Sequence, residues 1–233
     1  ILKWNKIRLA SIMEKILTIG KAALGCPIEI EFAVNLYRDK KPEFCLLQIK
    51  PMVLTGLQNI QKETNDKSEI FCKSQITLGD GEIDSLVDIV IVREDSFDPT
   101  KTTEIAKEVE KINNKFSANK QFILCGPGRW GSSDPWLGIP VSWRQISQAK
   151  VIVEVGIESL PIEPSFGSHF FQNITSLQIG YLTIDSKQSD DLFELEWIDE
   201  SALVESTKYV DHYHLDSGMK VILDGKSGIG IIQ

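Results

Sequence analysis

The order of apolar and polar positions divides the chain into two units, of which the first is short. Over residues 7–19 apolar side chains recur at helical spacing, and Pro27 follows, so this stretch predicts a helix that ends before the proline. Residues 28–34 then alternate apolar and polar, residues 37–42 are polar, and residues 43–52 form a second apolar run. The pattern predicts a helix followed by an antiparallel hairpin.

The second unit follows a polar connector and combines strands with one helix. Residues 56–67 lack periodicity and predict a linker between a unit at 1–55 and a unit at 68–233. Short β-branched runs are typical of buried strands, and an amphipathic pattern after Asp98 predicts a helix, so the fold class is mixed α/β. The predicted elements are strands at 87–92, 121–125, 150–155 and 181–184, a turn at 79–82, a helix at 105–116, and a closing hairpin at 215–232.

Composition narrows the class of protein. With 42% hydrophobic and 25% charged residues the chain is typical of soluble globular proteins, and its net charge of −8 argues against nucleic acid or an anionic membrane as the main partner. No uninterrupted apolar run reaches the ~18 residues of a membrane span. The four cysteines are dispersed, which disfavours zinc and disulfides and indicates the cytoplasm. The chain starts at Ile1, without an initiator Met or a signal peptide, so we expect it to be a piece of a longer polypeptide.

Polar side chains on the hairpin could face one cleft. Glu29 and Glu31 alternate on the first strand, and Gln48 and Lys50 alternate on the second, so each pair shares a face of its strand. Two carboxylates, an amide and an ammonium group suit a Mg²⁺-nucleotide, because hard oxygens bind the metal and the ammonium attracts phosphate. The alternative is an edge hairpin with a solvated polar face.

A glycine-rich segment, Gly126 to Trp136, follows a predicted buried strand. Backbone N–H groups of a loop containing Gly126 and Gly128 could cradle phosphate, with Arg129 as the counter-charge. The segment is not a Walker loop, because no Gly-Lys-Ser/Thr follows. Two alternatives remain: a rigid packed loop whose tryptophans fill space, and a partner-facing surface made by Trp130, Trp136 and Arg129.

The strongest candidate for chemistry is the turn Gly167-Ser168-His169, which opens an apolar segment and carries one of three histidines. Ser168 is a candidate N-cap, which would put His169 in the first turn of a helix. There the unpaired N–H groups and the positive dipole end favour a phosphate on the ring and disfavour the imidazolium. Neutral imidazole, with a reference pKa of about 6.5, is the nucleophile that this chemistry needs. The alternative is a structural histidine beside Phe170 and Phe171.

The other two histidines, His212 and His214, are separated by one residue. On a strand they share a face and could bind a metal ion. The acidic residues near them in the sequence are Asp211 and Asp216, and no cysteine is close. The alternative is a histidine pair without a metal.

Several segments resemble one family of phosphotransferases. Residues 27–32, Pro-Ile-Glu-Ile-Glu-Phe, and residues 46–52, Leu-Leu-Gln-Ile-Lys-Pro-Met, resemble the last two strands of the ATP-grasp nucleotide-binding domain in the phosphoenolpyruvate synthase and pyruvate phosphate dikinase family. The closing segment 215–232 resembles the end of the swivelling phosphohistidine domain of that family. Residues 148–153 resemble the strand before the active histidine, and residues 167–169 resemble its Thr-Ser-His turn.

The resemblance implies both a fold and a function. The fold would be the end of an ATP-grasp domain, made of a helix plus an antiparallel hairpin, followed by a swivelling β/β/α phosphohistidine domain. ATP would phosphorylate His169, with Ser168 beside it and with Mg²⁺ held partly by Glu31 and Gln48. Lys50 stands in place of a phosphate-binding arginine and keeps the charge without the bidentate fork. Pyruvate or a similar small molecule would accept the phosphoryl group.

The sequence also departs from the family. Phe170 and Phe171 replace two alanines, Gly167 replaces threonine, and residues 185–212 form an acidic insertion. Most of an ATP-grasp domain is missing from the chain, so we expect the chain alone to be inactive. These departures favour an alternative function, in which a swivelling-fold module without catalysis binds a protein or a ligand through the segment Gly126 to Trp136.

Overall fold

The structure is a computed structural model that describes residues 8–24, 28–51, 70–117, 120–160, 162, 174, 177–185 and 190–233. Within these ranges the protein is mixed α/β, consists mostly of strands and has two α-helices. No helix in the described ranges is long and apolar enough to cross a membrane. The predicted linker at 56–67 and the predicted turn at 167–169 lie outside the described residues.

The predicted helix and hairpin at the start of the chain are confirmed. Helix α1 (Leu9–Leu24) is followed by strands β1 (Ile28–Asn35) and β2 (Glu43–Pro51), which pair antiparallel. The helix lies close to the hairpin because Gly20 has no side chain: a Cβ there would come within 2.2 Å of Cδ1 of Ile28. The local patterns therefore suffice to specify these three elements.

The described residues from 70 onward are built around one large sheet. From residue 72 onward the strands are β3 (Cys72–Ser74), β4 (Ile76–Leu78), β5 (Asp80–Val92), β6 (Phe122–Pro127), β7 (Arg129–Trp130), β8 (Gly138–Ile139), β9 (Ala149–Val155), β10 (Gly180–Ile184), β11 (Leu192–Phe193), β12 (Leu203–Ser206), β13 (Val210–Asp224) and β14 (Ile229–Ile232). In the described part of the chain the sheet order is β11-β3-β14-β13-β5-β6-β9-β10-β4, with β12 on β13, while β7 and β8 form a separate pair.

The large sheet is mixed and curls until its ends meet. Strands β5, β6, β9 and β10 run parallel to one another, and the other pairings are antiparallel. Strands β3 and β4 lie near opposite ends of the order, although only Gln75 separates them in sequence. At this corner Ser74 Oγ accepts from the N–H of Ile76 and donates to the carbonyl oxygen of Thr183, at 2.9 and 2.6 Å.

Two apolar cores lie on the two faces of the curled sheet. The inner core joins strands that are not neighbours in the sheet, and it includes Phe71, Cys72, Ile89, Ile91, Ile123, Cys125, Val151, Val153, Leu182, Val221 and Ile232. The outer core packs helix α2 (Thr102–Asn113) on the sheet, and it includes Val90, Val92, Ile105, Val109, Ile112, Leu124, Trp130, Ile152, Ile174 and Tyr181. Alternate residues of β5 enter different cores because successive strand side chains point to opposite faces.

Two stretches differ from the sequence prediction. The turn predicted at 79–82 is wrong beyond Gly79, because β5 begins at Asp80 and pairs with the long strand β13 from Asp80 opposite Asp224 onward. The acidic insertion at 185–212 contributes strands: β11 pairs with β3, and β12 pairs with β13. In both stretches a distant partner strand supplies hydrogen bonds that no local pattern reveals.

Candidate functional site

Four parallel strands end at one edge of the sheet, which we call the carboxyl edge. Strands β5, β6 and β9 reach it at Val92, Pro127 and Val155. Ligands of α/β proteins bind outside the carboxyl ends of parallel strands. The glycine-rich loop leaves β6 here, and the connection that contains Ser168 and His169 leaves the adjacent strand β9. The glycine-rich loop and the connection from β9 to β10 therefore begin at the same edge, while Ser168 and His169 themselves lie outside the described residues.

The glycine-rich loop is packed, and its amides already have acceptors. Four consecutive backbone N–H groups donate within the protein: Gly128 to Val155 O at 2.9 Å, Arg129 to Leu137 O at 2.8 Å, Trp130 to Glu154 Oε1 at 2.9 Å and Gly131 to Ile139 O at 2.8 Å. Gly128 has φ +69°, and a Cβ there would lie 2.3 Å from Cδ2 of Leu160. A phosphate cradled by these amides would have to replace the internal hydrogen bonds.

The two tryptophans of the loop have different roles. Trp130 is 1% exposed, belongs to the outer core and donates its Nε1–H to Val153 O at 3.3 Å. Trp136 is 65% exposed and stands next to Leu137, which is 42% exposed. Trp130 therefore fills space, as one alternative predicted. Of the two tryptophans, Trp136 is the one that is exposed enough to contact a partner.

A buried carboxyl group fixes this loop to the sheet. Glu154 is fully buried, and its carboxylate accepts hydrogen bonds from the Trp130 amide and from the Tyr181 hydroxyl. Burial raises the pKa of Glu154 to about 7, and the hydrogen bonds from Tyr181 and Trp130 and the charge of Arg129 lower it in part. The sequence prediction missed Glu154, although a charged residue inside the run Val151 to Val155 is the signal that marks it.

A cavity of about 250 Å³ opens at the carboxyl edge. Its walls come from the ends of β5, β6 and β9 and from the acidic insertion; they include Ile91, Val92, Pro127, Val155, Ile157, Phe193 and Leu195, with Glu94, Glu194 and Glu196 among them. The insertion is held there by Asp191, whose carboxylate accepts from the amides of Gln75 and Asp185, both at 2.8 Å. The insertion thus forms one wall of the site.

On the hairpin, the register brings the four predicted polar residues together. Glu31 lies opposite Gln48, and Glu29 lies opposite Lys50, in the antiparallel pairing of β1 with β2. Glu31 is exposed and Gln48 is half-buried, whereas the Lys50 side chain lies outside the described part of the structure. Residues directly opposite in such a ladder have Cβ atoms ~5 Å apart, which is close enough for both to contact one metal–phosphate unit.

The two histidines of β13 meet a buried carboxylate. His212 Nε2 lies 2.8 Å, and His214 Nδ1 lies 3.0 Å, from the same oxygen, Oδ1 of Asp88. The predicted shared face is therefore present, and its acidic partner is Asp88 on β5 rather than Asp211 or Asp216. The sequence feature that could have identified Asp88 is its position as a carboxylate within the apolar run 87–92. Among the described residues, no group of three or more His, Cys, Asp or Glu is arranged to hold a metal ion.

These features define a mixed α/β protein with a curled sheet, a loop-bearing carboxyl edge and a separate cluster of Asp88 with two histidines. Comparison with models of protein families, with curated proteins and with solved structures found no match to the chain.

Proposed function

We propose that this chain is part of an ATP-dependent phosphotransferase of the phosphoenolpyruvate synthase kind, in which a phosphoryl group passes through His169 to a small-molecule acceptor. The observation that carries the proposal is the parallel pairing of β6 with β9. This pairing starts the connection that contains His169 beside the Arg129 loop, at the edge where α/β proteins bind ligands. The sequence resemblance to the family supports the same assignment.

We also propose which domains of that family the chain contains. Helix α1 with β1 and β2 would be the end of an ATP-grasp domain, and the curled sheet with α2 on its outer face would be the swivelling phosphohistidine domain. The register of Glu31 with Gln48 and of Glu29 with Lys50 supports a nucleotide site, because carboxylate and amide oxygens suit Mg²⁺ and an ammonium suits phosphate.

The chemistry would be two successive displacements. An imidazole nitrogen of His169 attacks phosphorus of ATP, an N–P bond forms and the P–O bond to the nucleotide leaving group breaks. An acceptor oxygen then attacks the same phosphorus, and the N–P bond breaks. Mg²⁺, held by Glu31 and Gln48 with the remainder of the polypeptide, would neutralise phosphate charge, and Lys50 would hold the phosphates in place. Pyruvate is the acceptor by analogy alone.

Phosphohistidine mapping tests this proposal. The full-length protein that contains this chain is incubated with Mg²⁺ and ATP labelled at the β or γ phosphate, and acid-labile, base-stable label is mapped to peptides. We expect label on the peptide that contains His169, and we expect the His169→Ala variant to lose it. Absence of label from that peptide in the wild-type protein would refute the carrier role.

Substitutions on the hairpin test the nucleotide site. Glu31→Gln removes a metal-binding charge and should slow labelling of His169 by ~10-fold or more. Glu14→Gln is the matched control, because Glu14 is exposed on helix α1 and lies on neither strand of the hairpin. Equal labelling rates in the two variants would argue against the assigned nucleotide face.

A binding module without catalysis is the second candidate. The exposed Trp136 beside Leu137 favours it, as do the four loop amides that donate inside the protein. In that case the full-length protein would give no label at His169 under any Mg²⁺ and ATP condition. The mapping experiment therefore separates the two candidates directly.

A further inference from the structure

The cluster of Asp88, His212 and His214 lies outside the carboxyl edge and the hairpin, and its chemistry is not used by the function proposed above. We propose that His214 is a second phosphoryl-accepting histidine, oriented through Nδ1 by the buried carboxylate of Asp88. The inference rests on the proposed function only for its natural phosphoryl donor, because a small chemical donor can test the histidine by itself.

The hydrogen bonds to Asp88 determine the tautomers. An ionised carboxylate only accepts hydrogen bonds, so each ring nitrogen that faces Oδ1 of Asp88 carries a proton. For His214 this nitrogen is Nδ1, which leaves the lone pair of the neutral ring on Nε2. A carboxylate bound at Nδ1 holds the ring in place and stabilises positive charge that develops as Nε2 bonds to an electrophile. Asp88 is therefore a positioning residue for His214.

Exposure separates the two histidines. The side chain of His214 is 45% exposed, whereas that of His212 is 11% exposed and meets the ring of Phe116 edge-on at 5.2 Å between centroids. No hydrogen bond to Nε2 of His214 is present among the described residues, so this nitrogen can meet a reagent from solvent. His212 shares the same carboxylate but is covered, which makes it an internal control.

Charge around Asp88 fits a site that takes an anion. Asp88 is 1% exposed, and within the described part of the chain its second oxygen, Oδ2, is buried without a hydrogen-bond partner. Lys120 Nζ lies 3.9 Å from that oxygen, and its side chain is 58% exposed. Lys120 can therefore offset the charge of Asp88 and also reach towards a phosphoryl group in solvent. An exposed imidazole with an ammonium nearby suits a phosphoryl donor better than a cationic ligand.

The proposed step is a single displacement. The Nε2 lone pair of His214 attacks phosphorus, and an N–P bond forms. The bond from phosphorus to the leaving group breaks, and the leaving group takes the electron pair: ammonia from phosphoramidate, or the nucleotide product from ATP. The Nδ1 proton stays in its hydrogen bond with Asp88 Oδ1.

The deciding experiment uses the full chain and phosphoramidate near neutral pH, with acid-labile phosphate mapped to the three histidine-containing positions. We expect His214 to be modified ~10-fold or more faster than His212, and His214→Gln to lose that label. Asp88→Asn should slow modification of His214 by ~10–100-fold, the usual effect of removing an orienting carboxylate. Asp88→Glu, which keeps a carboxylate, should recover part of that rate, and a merely structural role of Asp88 would not predict such a recovery.

The outcomes separate this inference from the proposed function. Equal, slow modification of His214 and His212, or an Asp88→Asn variant that is folded and modified at an unchanged rate, would overturn the role of His214. Label at His214 without label at His169 in the ATP experiment would overturn the carrier proposal alone. If Asp88→Asn does not fold, the His214→Gln variant decides whether His214 accepts the phosphoryl group, because its substitution is at a half-exposed residue. Label that persists at full rate in His214→Gln would overturn the proposal.

Discussion

Replacing Glu154 by glutamine should remove a pH dependence from the stability of the fold. The pKa of Glu154 is about 7, against 4.5 for the unperturbed group, and burial is the largest cause. A difference of about 2.5 in pKa corresponds to a free energy of about 3 kcal/mol, and solvent does not screen this effect because Glu154 is fully buried. The ionised form of Glu154 therefore costs the folded state about 3 kcal/mol at alkaline pH.

The sign of the effect follows from proton binding. Because the folded protein holds the proton of Glu154 more tightly than the unfolded chain does, its stabilising contribution is complete below about pH 4.5. That contribution is lost as the pH rises through about 7. Glutamine cannot ionise, its Oε1 can accept from the Trp130 amide, and its amide group can donate to the Tyr181 hydroxyl oxygen. The free energy of unfolding of Glu154→Gln minus that of wild type should rise by about 2.5 kcal/mol from about pH 5 to about pH 8.

Urea unfolding followed by circular dichroism at several pH values measures this difference. Subtracting wild type from variant cancels every other group that titrates in the same range. Glu158→Gln is the control, because Glu158 is exposed and its replacement should change the free energy of unfolding by less than ~0.5 kcal/mol at each pH. Parallel pH curves for Glu154→Gln and wild type would refute the reasoning, since they would mean that Glu154 does not titrate in this range.

Two further pairs of variants test the packing of the fold by urea unfolding. Trp130→Ala leaves a cavity in the outer core and should lower the free energy of unfolding by ~3–5 kcal/mol, whereas Trp136→Ala, at an exposed site, should change it by less than ~0.5 kcal/mol. Similar losses of stability in the two variants would contradict the burial of Trp130. Arg93→Ala removes the cation that pairs with the buried Asp211 and should lower the free energy of unfolding by ~3 kcal/mol, whereas Arg144→Ala, at a side chain that is 88% exposed, should lower it by less than ~0.5 kcal/mol. An unchanged free energy of unfolding in Arg93→Ala would show that Asp211 does not depend on Arg93.

Elements with a local signal could be predicted from the sequence. Helix α1 and the hairpin β1–β2 follow from spacing and from Pro27, and helix α2 follows from its apolar stripe. The core strands β6, β9 and β10 follow from β-branched runs, because strands buried on both faces have little polar alternation. Each of these signals depends on residues a few positions apart.

Features that depend on distant partners could not be predicted. The start of β5 at Asp80 requires β13 as a partner, and the curl of the sheet requires β3 and β4 to pair at opposite ends. The roles of Asp88 and Glu154 are set by His212, His214 and Tyr181, all remote in sequence. Only the presence of a carboxylate within an apolar strand marked these two residues in advance.

The pairing of β3 with β14 has a consequence for how the protein folds. Phe71 donates its amide hydrogen to Ile232 O at 2.9 Å, next to the pairing of β3 with β14, two strands that are far apart in sequence. Such contacts between residues far apart in sequence slow folding, because the chain must close a long loop first. During synthesis on the ribosome, β3 and β13 therefore keep unpaired edges until residues 229–232 emerge. The sheet therefore cannot close before residues 229–232 are available, and these edges are exposed to intermolecular pairing until then.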